Sequence, residues 1–152
     1  MIVYSNNDAT VLLNSSMNFN TYFDVLNSIN LTIPKKDQPD YPLTTIECSR
    51  LLRIIFNSSY LTSENSEYAM DLLTKSKFHD GIAKLIPENV TIAHKFGERF
   101  NPVEQQLHET AIIYSNNKPY LLTIMTRGKD QEKLKNILNS VGKKVYDFMA
   151  SR

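Results

Sequence analysis

The stretch ETAIIYSNNKPYLLTIMTR, residues 109–127, decides how this chain is read. Its two runs, ETAIIYS (109–115) and YLLTIMTR (120–127), are rich in β-branched and aromatic residues, which fit a pleated, half-buried surface. Between them stand Asn116, Asn117, Lys118 and Pro119, residue types that suit a tight turn. The stretch is therefore expected to be a β-hairpin. VTIAHK (90–95) has the same character and adds a third strand.

On both sides of these strands the apolar period becomes helical. After them, Asp130 to about Met149 carries Leu134, Ile137, Leu138, Val141, Val145 and Phe148 as one stripe. Before them, Thr44 and Glu47 make a capping-box pattern that opens a helix with Cys48, Leu51, Leu52 and Ile55 on its apolar face. A further helix is expected from about Ser63 to Lys75, with Ala69, Leu72 and Leu73 inward, and a short one from Asp80 to Leu85, stopped by Pro87. Near the N-terminus, Ala9, Leu12 and Leu13 suggest a helix capped by Asn6 or Asn7. Phe19, Tyr22, Phe23 and Leu26 suggest a second. The segment TIPKKDQPDYPL (32–43), with three prolines, reads as a loop. Helices, then three strands, then a helix make an α+β domain: a three-stranded antiparallel sheet with the C-terminal helix packed on it.

The totals exclude several classes of function. A chain of 152 residues with 41% hydrophobic and 22% charged residues has the composition of one soluble globular domain. A net charge of +1 gives no footprint for nucleic acid or an anionic membrane. Apolar runs such as YLLTIM are too short to span a bilayer, and residues 1–13 lack the basic start and long apolar core of a signal peptide. The single cysteine, Cys48, rules out an internal disulfide and is expected to be a buried structural thiol. His79, His94 and His108 have no metal-ligand spacing, so no metal is expected. Four glycines leave little room for a phosphate-cradling loop.

Two pieces carry candidate chemistry: VYSNNDATVLL (3–13) and IAHKFGER (92–99). A serine hydroxyl both donates and accepts, so Ser5 can relay a proton. Asn7 offers an amide oxygen and two donors. Lys95 brings a positive charge, and Gly97 has no side chain to keep a substrate off the strand. Ser-x-Asn opening a helix, followed by Lys-x-Gly on a strand, is the order of the second and third motifs of penicillin-recognising serine enzymes. The sequence resembles the class A β-lactamase family and its penicillin-binding transpeptidase relatives. MIVYSNNDATVLL resembles that family's helix carrying Ser-Asp-Asn, residues 43–73 its helical stretch before the sheet, and the three strands its last three.

The resemblance covers nearly the whole chain but only the C-terminal half to two-thirds of the family's domain. It implies a single, N-terminally truncated β-lactamase/transpeptidase-like domain over residues 1–152. It further implies a serine hydrolase that acts through an acyl-enzyme on a β-lactam or peptidoglycan-like amide, needs no cofactor, and works outside the cell or in its envelope. Ser5 and Lys95 take the catalytic positions, and Asn7, Phe96 and Gly97 the substrate-binding ones. His94, beside Lys95, is the histidine expected to line the cleft. Arg99 and Arg127 could assist anion binding at the strand ends, although exposure alone explains them.

Four departures qualify the resemblance. The nucleophile motif Ser-x-x-Lys should precede Ser5, and only Met1 to Tyr4 do. Ser115 to Lys118 falls in the hairpin, where Pro119 forbids a helix. Ser140 to Lys143 falls on the last helix, in the wrong chain order. Asn6 stands where Asp is usual, and Phe96 where Thr or Ser would bond a substrate carboxylate. No Glu occurs from Met1 to Ile46, so the loop lacks the usual water-activating residue. The chain is expected to be inactive alone. A non-catalytic relative that binds a peptide-like or cell-wall ligand, or a DD-peptidase-like relative, remains the alternative. Tyr120 to Arg127 is expected to form an open strand edge that favours self-association.

Overall fold

The computed structural model describes residues 1–33, 41–115 and 118–152. The middle of the proline-rich loop and the Asn116-Asn117 turn therefore lie outside the described residues. In chain order the elements are α1 (Asn7–Ser16), α2 (Phe19–Ser28), α3 (Thr45–Phe56), α4 (Ser63–Thr74), a 3-10 turn (Ile82–Leu85), β1 (Ile92–Phe100), β2 (Gln105–Ser115), β3 (Lys118–Gly128) and α5 (Gln131–Ala150). The sheet is antiparallel with order β1-β2-β3, so β1 and β3 are both edges. Ser115 pairs with Lys118 across the hairpin, which makes that Ser-x-x-Lys match a strand-to-strand pair.

Strand alternation divides the core into two faces. The front face carries Ala93 and Ile112, which pack against Leu52 of α3 and Met70 and Leu73 of α4. The back face carries Leu107, Ala111 and Ile113. These pack against Ile82 and Ile86 around the 3-10 turn and Leu134 and Leu138 of α5. Covering both faces of a three-stranded sheet is how so small a sheet buries enough apolar surface to hold.

Several helical stripes are rotated from their expected positions. On α4 the buried line is Ser66, Met70 and Leu73, with Ala69 and Leu72 only half-buried. On α5, Leu134, Leu138, Asn139 and Gly142 are buried, whereas Ile137, Val141 and Phe148 are exposed. Gly142 gives the reason: a Cβ there would stand 3.0 Å from Ile82 O and 3.1 Å from Ile82 Cα. The helix meets the 3-10 turn backbone to backbone, and only its glycine side permits that approach. No α1 residue is buried, and Val11, Leu12 and Leu13 are exposed.

The capping box is present as expected, with Thr44 Oγ1 accepting from Glu47 N–H and the Glu47 carboxylate accepting from Thr44 N–H. Cys48 departs from expectation in being half-buried, since Leu52 takes the inward position. Burial still pushes its thiol above the ordinary value, with the Glu47 charge adding to the effect, so it is not a reactive thiolate.

Candidate active site

Residues 1–6 enter the site as an irregular turn. Ile2 packs on the front-face core, and Val3 C=O accepts from Lys77 N–H at 2.9 Å. Ser5 then takes a left-handed conformation (φ 49°), unusual for a residue other than glycine. Asn6 is the cap of α1: its Oδ1 accepts from Ala9 N–H at 2.7 Å. Between the two candidates for that cap, the structure chooses Asn6. Asn7 is left exposed on the first turn, and its side chain has no hydrogen-bond partner among the described residues.

Lys95 comes from the first strand, well past the middle of the chain. On edge strand β1 it pairs with Thr110 and points to the front face. Its Nζ donates to Ser5 Oγ at 2.6 Å and to Phe96 O at 2.6 Å. The lysine is half-buried, and burial lowers its proton affinity, partly offset by the nearby Glu98 charge. The structure thus brings Ser5 and Lys95, ninety positions apart, into direct contact.

Two residues beyond Lys95 on the same face, Gly97 is exposed, and a Cβ there would meet nothing within 4 Å. Packing does not require glycine at this position; the strand is simply bare beside Lys95. Phe96 is arranged differently from the substrate-binding position assigned to it. Its ring stacks on Phe78 (centroids 4.0 Å apart, planes 18°) and packs against the Leu107, Leu134 and Leu138 cluster under α5. It reaches the site through Lys95, whose Nζ stands 4.7 Å from the ring centroid.

The histidine expected to line the cleft faces away from Lys95. His94 is buried on the back face, its Nδ1 2.5 Å from Glu109 Oε1. His108 sits directly opposite Gly97 on the front face. Its Nδ1 accepts from Thr126 N–H at 3.2 Å, and its Nε2 faces Gln106 Oε1 at 3.3 Å. Burial holds its imidazole below the ordinary value, so it is a neutral polar group beside the bare strand. Alternation along the strands would have separated the two histidines, had the pairing register been known. Arg127 is exposed and paired with Glu104 at 3.2 Å, and Arg99 is exposed on β1. Among the described residues no group of three or more His, Cys, Asp or Glu side chains could hold a metal.

Solved structures share this architecture. The chromosome-encoded β-lactamase of Vibrio parahaemolyticus superposes with a TM-score of 0.74 at 15% identity, over 95% of this chain and 60% of its own. A β-lactamase from Sphaerobacter thermophilus DSM 20745 gives 0.73 at 16% identity, over 91% and 56%. The structure named PBP-A gives 0.63 at 14% identity, over 88% and 51%. The fold is shared with these β-lactamases and with PBP-A, and the chain spans about half the length of these structures. The sequence profile of the β-lactamase enzyme family matches residues 1–149, and the chain belongs to that family. No curated protein matches the sequence.

Proposed function

We propose that this chain carries the proton-relay and substrate-docking part of a serine acyl-transfer site that acts on a β-lactam or a peptidoglycan-like amide. The hydrogen bond from Lys95 Nζ to Ser5 Oγ is the observation that carries the reading. A hydroxyl that accepts from an ammonium directs its own proton elsewhere, here towards the leaving nitrogen of the substrate. As the C–N bond breaks, Ser5 gives its proton to that nitrogen and takes one from Lys95. The half-buried lysine, with its lowered proton affinity, yields that proton more readily than a solvated one. Asn7 and the bare strand at Gly97 would hold the substrate amide and backbone, and the Lys95 charge would hold an anionic group.

The acyl-forming nucleophile is not assigned to any residue of this chain. Incubation with a fluorescent penicillin is therefore expected to leave the chain without a covalent adduct on a denaturing gel. A stoichiometric adduct would overturn that assignment.

Phe96 favours a second reading, in which the chain binds such ligands without turning them over. Its ring is committed to Phe78 and cannot donate the hydrogen bond that a hydroxyl would offer a carboxylate. Saturable, reversible binding of a penicillin with no adduct and no hydrolysis, in a polypeptide that also carries an acyl-forming nucleophile, would support it over the first.

The β3 edge bears on assembly. Among the described residues no strand lies beyond its outer edge, and an open groove of about 470 Å³ lies between it and α3. We expect concentration-dependent association through Tyr120 to Arg127. A size-exclusion profile that stays monomeric over a wide concentration range would count against it. Among the described residues no helix is long and apolar enough to cross a membrane.

A further inference from the structure

We propose that His94, Glu109 and Phe78 are positioning residues that hold Ser5 and Lys95 in contact, with residues 76–82 as the yoke between the two halves of the site. The proposal rests on the reading of Ser5 and Lys95 as that site.

Neither residue of the pair has a secure position of its own. Ser5 holds a left-handed backbone that persists only if its surroundings impose it. Lys95 lies on an edge strand with one neighbour. Within the connection from α4 to β1, residues 76–82 reach the chain neighbours of both. At its start, Lys77 N–H donates to Val3 C=O at 2.9 Å, which anchors the turn leading into Ser5. At its end, Ile82 N–H donates to Glu109 Oε2 at 2.6 Å, while Glu109 Oε1 holds His94 Nδ1 at 2.5 Å. One carboxyl group thus ties the connection to the residue next to Lys95. Between these points, Phe78 stacks on Phe96, the neighbour on the other side of Lys95.

Fixing the side chains before and after a strand residue fixes the direction in which that residue points. Lys95 is clamped from behind in this way, and the same segment, residues 76–82, carries the anchor for the turn leading into Ser5. The fit is close. A Cβ at Gly81 would fall 1.9 Å from Glu109 Oε2 and 2.6 Å from the Phe78 ring. Asn139 of α5 adds a brace: with its amide nitrogen turned towards three carbonyls, Gly81 O at 2.6 Å, Asp80 O at 3.1 Å and Lys135 O at 3.2 Å, its two N–H groups are shared among them. A purely apolar contact would bury as much surface, but it would not tie a loop N–H and a strand imidazole to one point.

The readout is the rate at which acetic anhydride modifies Lys95, mapped by mass spectrometry and expressed relative to the exposed Lys144 in the same molecule. In the unaltered chain half-burial and the bonds to Ser5 Oγ and Phe96 O shield the Lys95 amine from the reagent. Ser5→Ala should raise its relative rate about three- to tenfold, the range expected when one hydrogen bond is lost. The double variant His94→Leu/Glu109→Leu replaces the buried pair by apolar side chains and leaves Ile82 N–H without its acceptor. If folded by circular dichroism, it should raise the Lys95 rate over the same range. Phe78→Leu should act in the same direction, and it decides the matter if the double variant does not fold. Glu109→Gln keeps an acceptor for Ile82 N–H and a partner for His94, and should behave like the unaltered chain. A folded double variant, or Phe78→Leu, with unchanged Lys95 reactivity would overturn the yoke while Ser5→Ala still moved the rate. No effect of Ser5→Ala would instead overturn the Ser5–Lys95 reading itself.

Discussion

Replacing Glu109 with alanine is expected to destabilise the protein by about 3–5 kcal/mol, the usual cost of removing one member of a buried, hydrogen-bonded pair. Glu109 is 1% exposed. Its carboxyl group accepts from Ile82 N–H and pairs with His94, so alanine leaves a backbone donor and an imidazole buried without partners. It also opens a void beneath Gly81, where the carboxyl oxygen fills the space of an absent side chain. Urea unfolding followed by circular dichroism would measure the loss. Glu109→Gln, which can keep both contacts, should lose much less. Equal losses for the two variants would mean that the hydrogen bonds contribute little.

The second large effect is expected at Glu47. Its carboxylate accepts from Thr32 N–H and Oγ1 and from Thr44 N–H and Oγ1. It therefore closes the neck of the proline-rich loop as well as completing the cap of α3. Glu47→Ala should cost about 2–4 kcal/mol, combining a lost cap with unpaired donors at both strands of the neck. These bonds, led by that from the Thr32 hydroxyl, hold the carboxyl at about 2, well below its ordinary value of 4.5. A carboxyl more acidic in the folded state than in the unfolded chain adds stability above the ordinary value. That stability is lost as pH falls from about 4.5 towards 2. The acid loss should therefore be smaller in Glu47→Gln than in the unaltered chain. Identical pH profiles for the two would contradict the assignment.

The relation between sequence and structure differs from element to element. The hairpin, the capping box and the last helix were legible because each rests on local chemistry. Branched side chains fit a pleat, a threonine and a glutamate three residues later satisfy each other's backbone donors, and a helical period repeats within a few turns. The faces of α4 and α5 were less legible. Period alone marks an apolar stripe, but the neighbour decides which edge of the stripe goes inward. On α5 that neighbour is the Ile82 backbone, which admits Gly142 and leaves Ile137 and Val141 outside.

The candidate site divides in the same way. Ser5, Asn7, Lys95 and Gly97 could be singled out from motif order, and Asn6 as one of two possible caps. Their residue types were enough to suggest proton relay, amide binding and charge. The roles of the histidines were not available from the sequence. His94 adjoins Lys95 in the chain yet faces away from it, and His108 lies opposite Gly97 through a strand pairing that local pattern does not specify. Glu109 carried no signal at all, since a glutamate in a strand is ordinarily solvated, and only burial against Gly81 makes it a clamp.

By itself, then, the sequence determined the α+β order of elements, the local caps and turns, and the residue types available for chemistry, because all of these depend on neighbours within a few positions. The contact of Ser5 with Lys95, the burial of His94 on Glu109 and the stacking of Phe96 on Phe78 were decided by tertiary structure alone. Each joins groups distant in the chain, through register and packing that no local preference encodes.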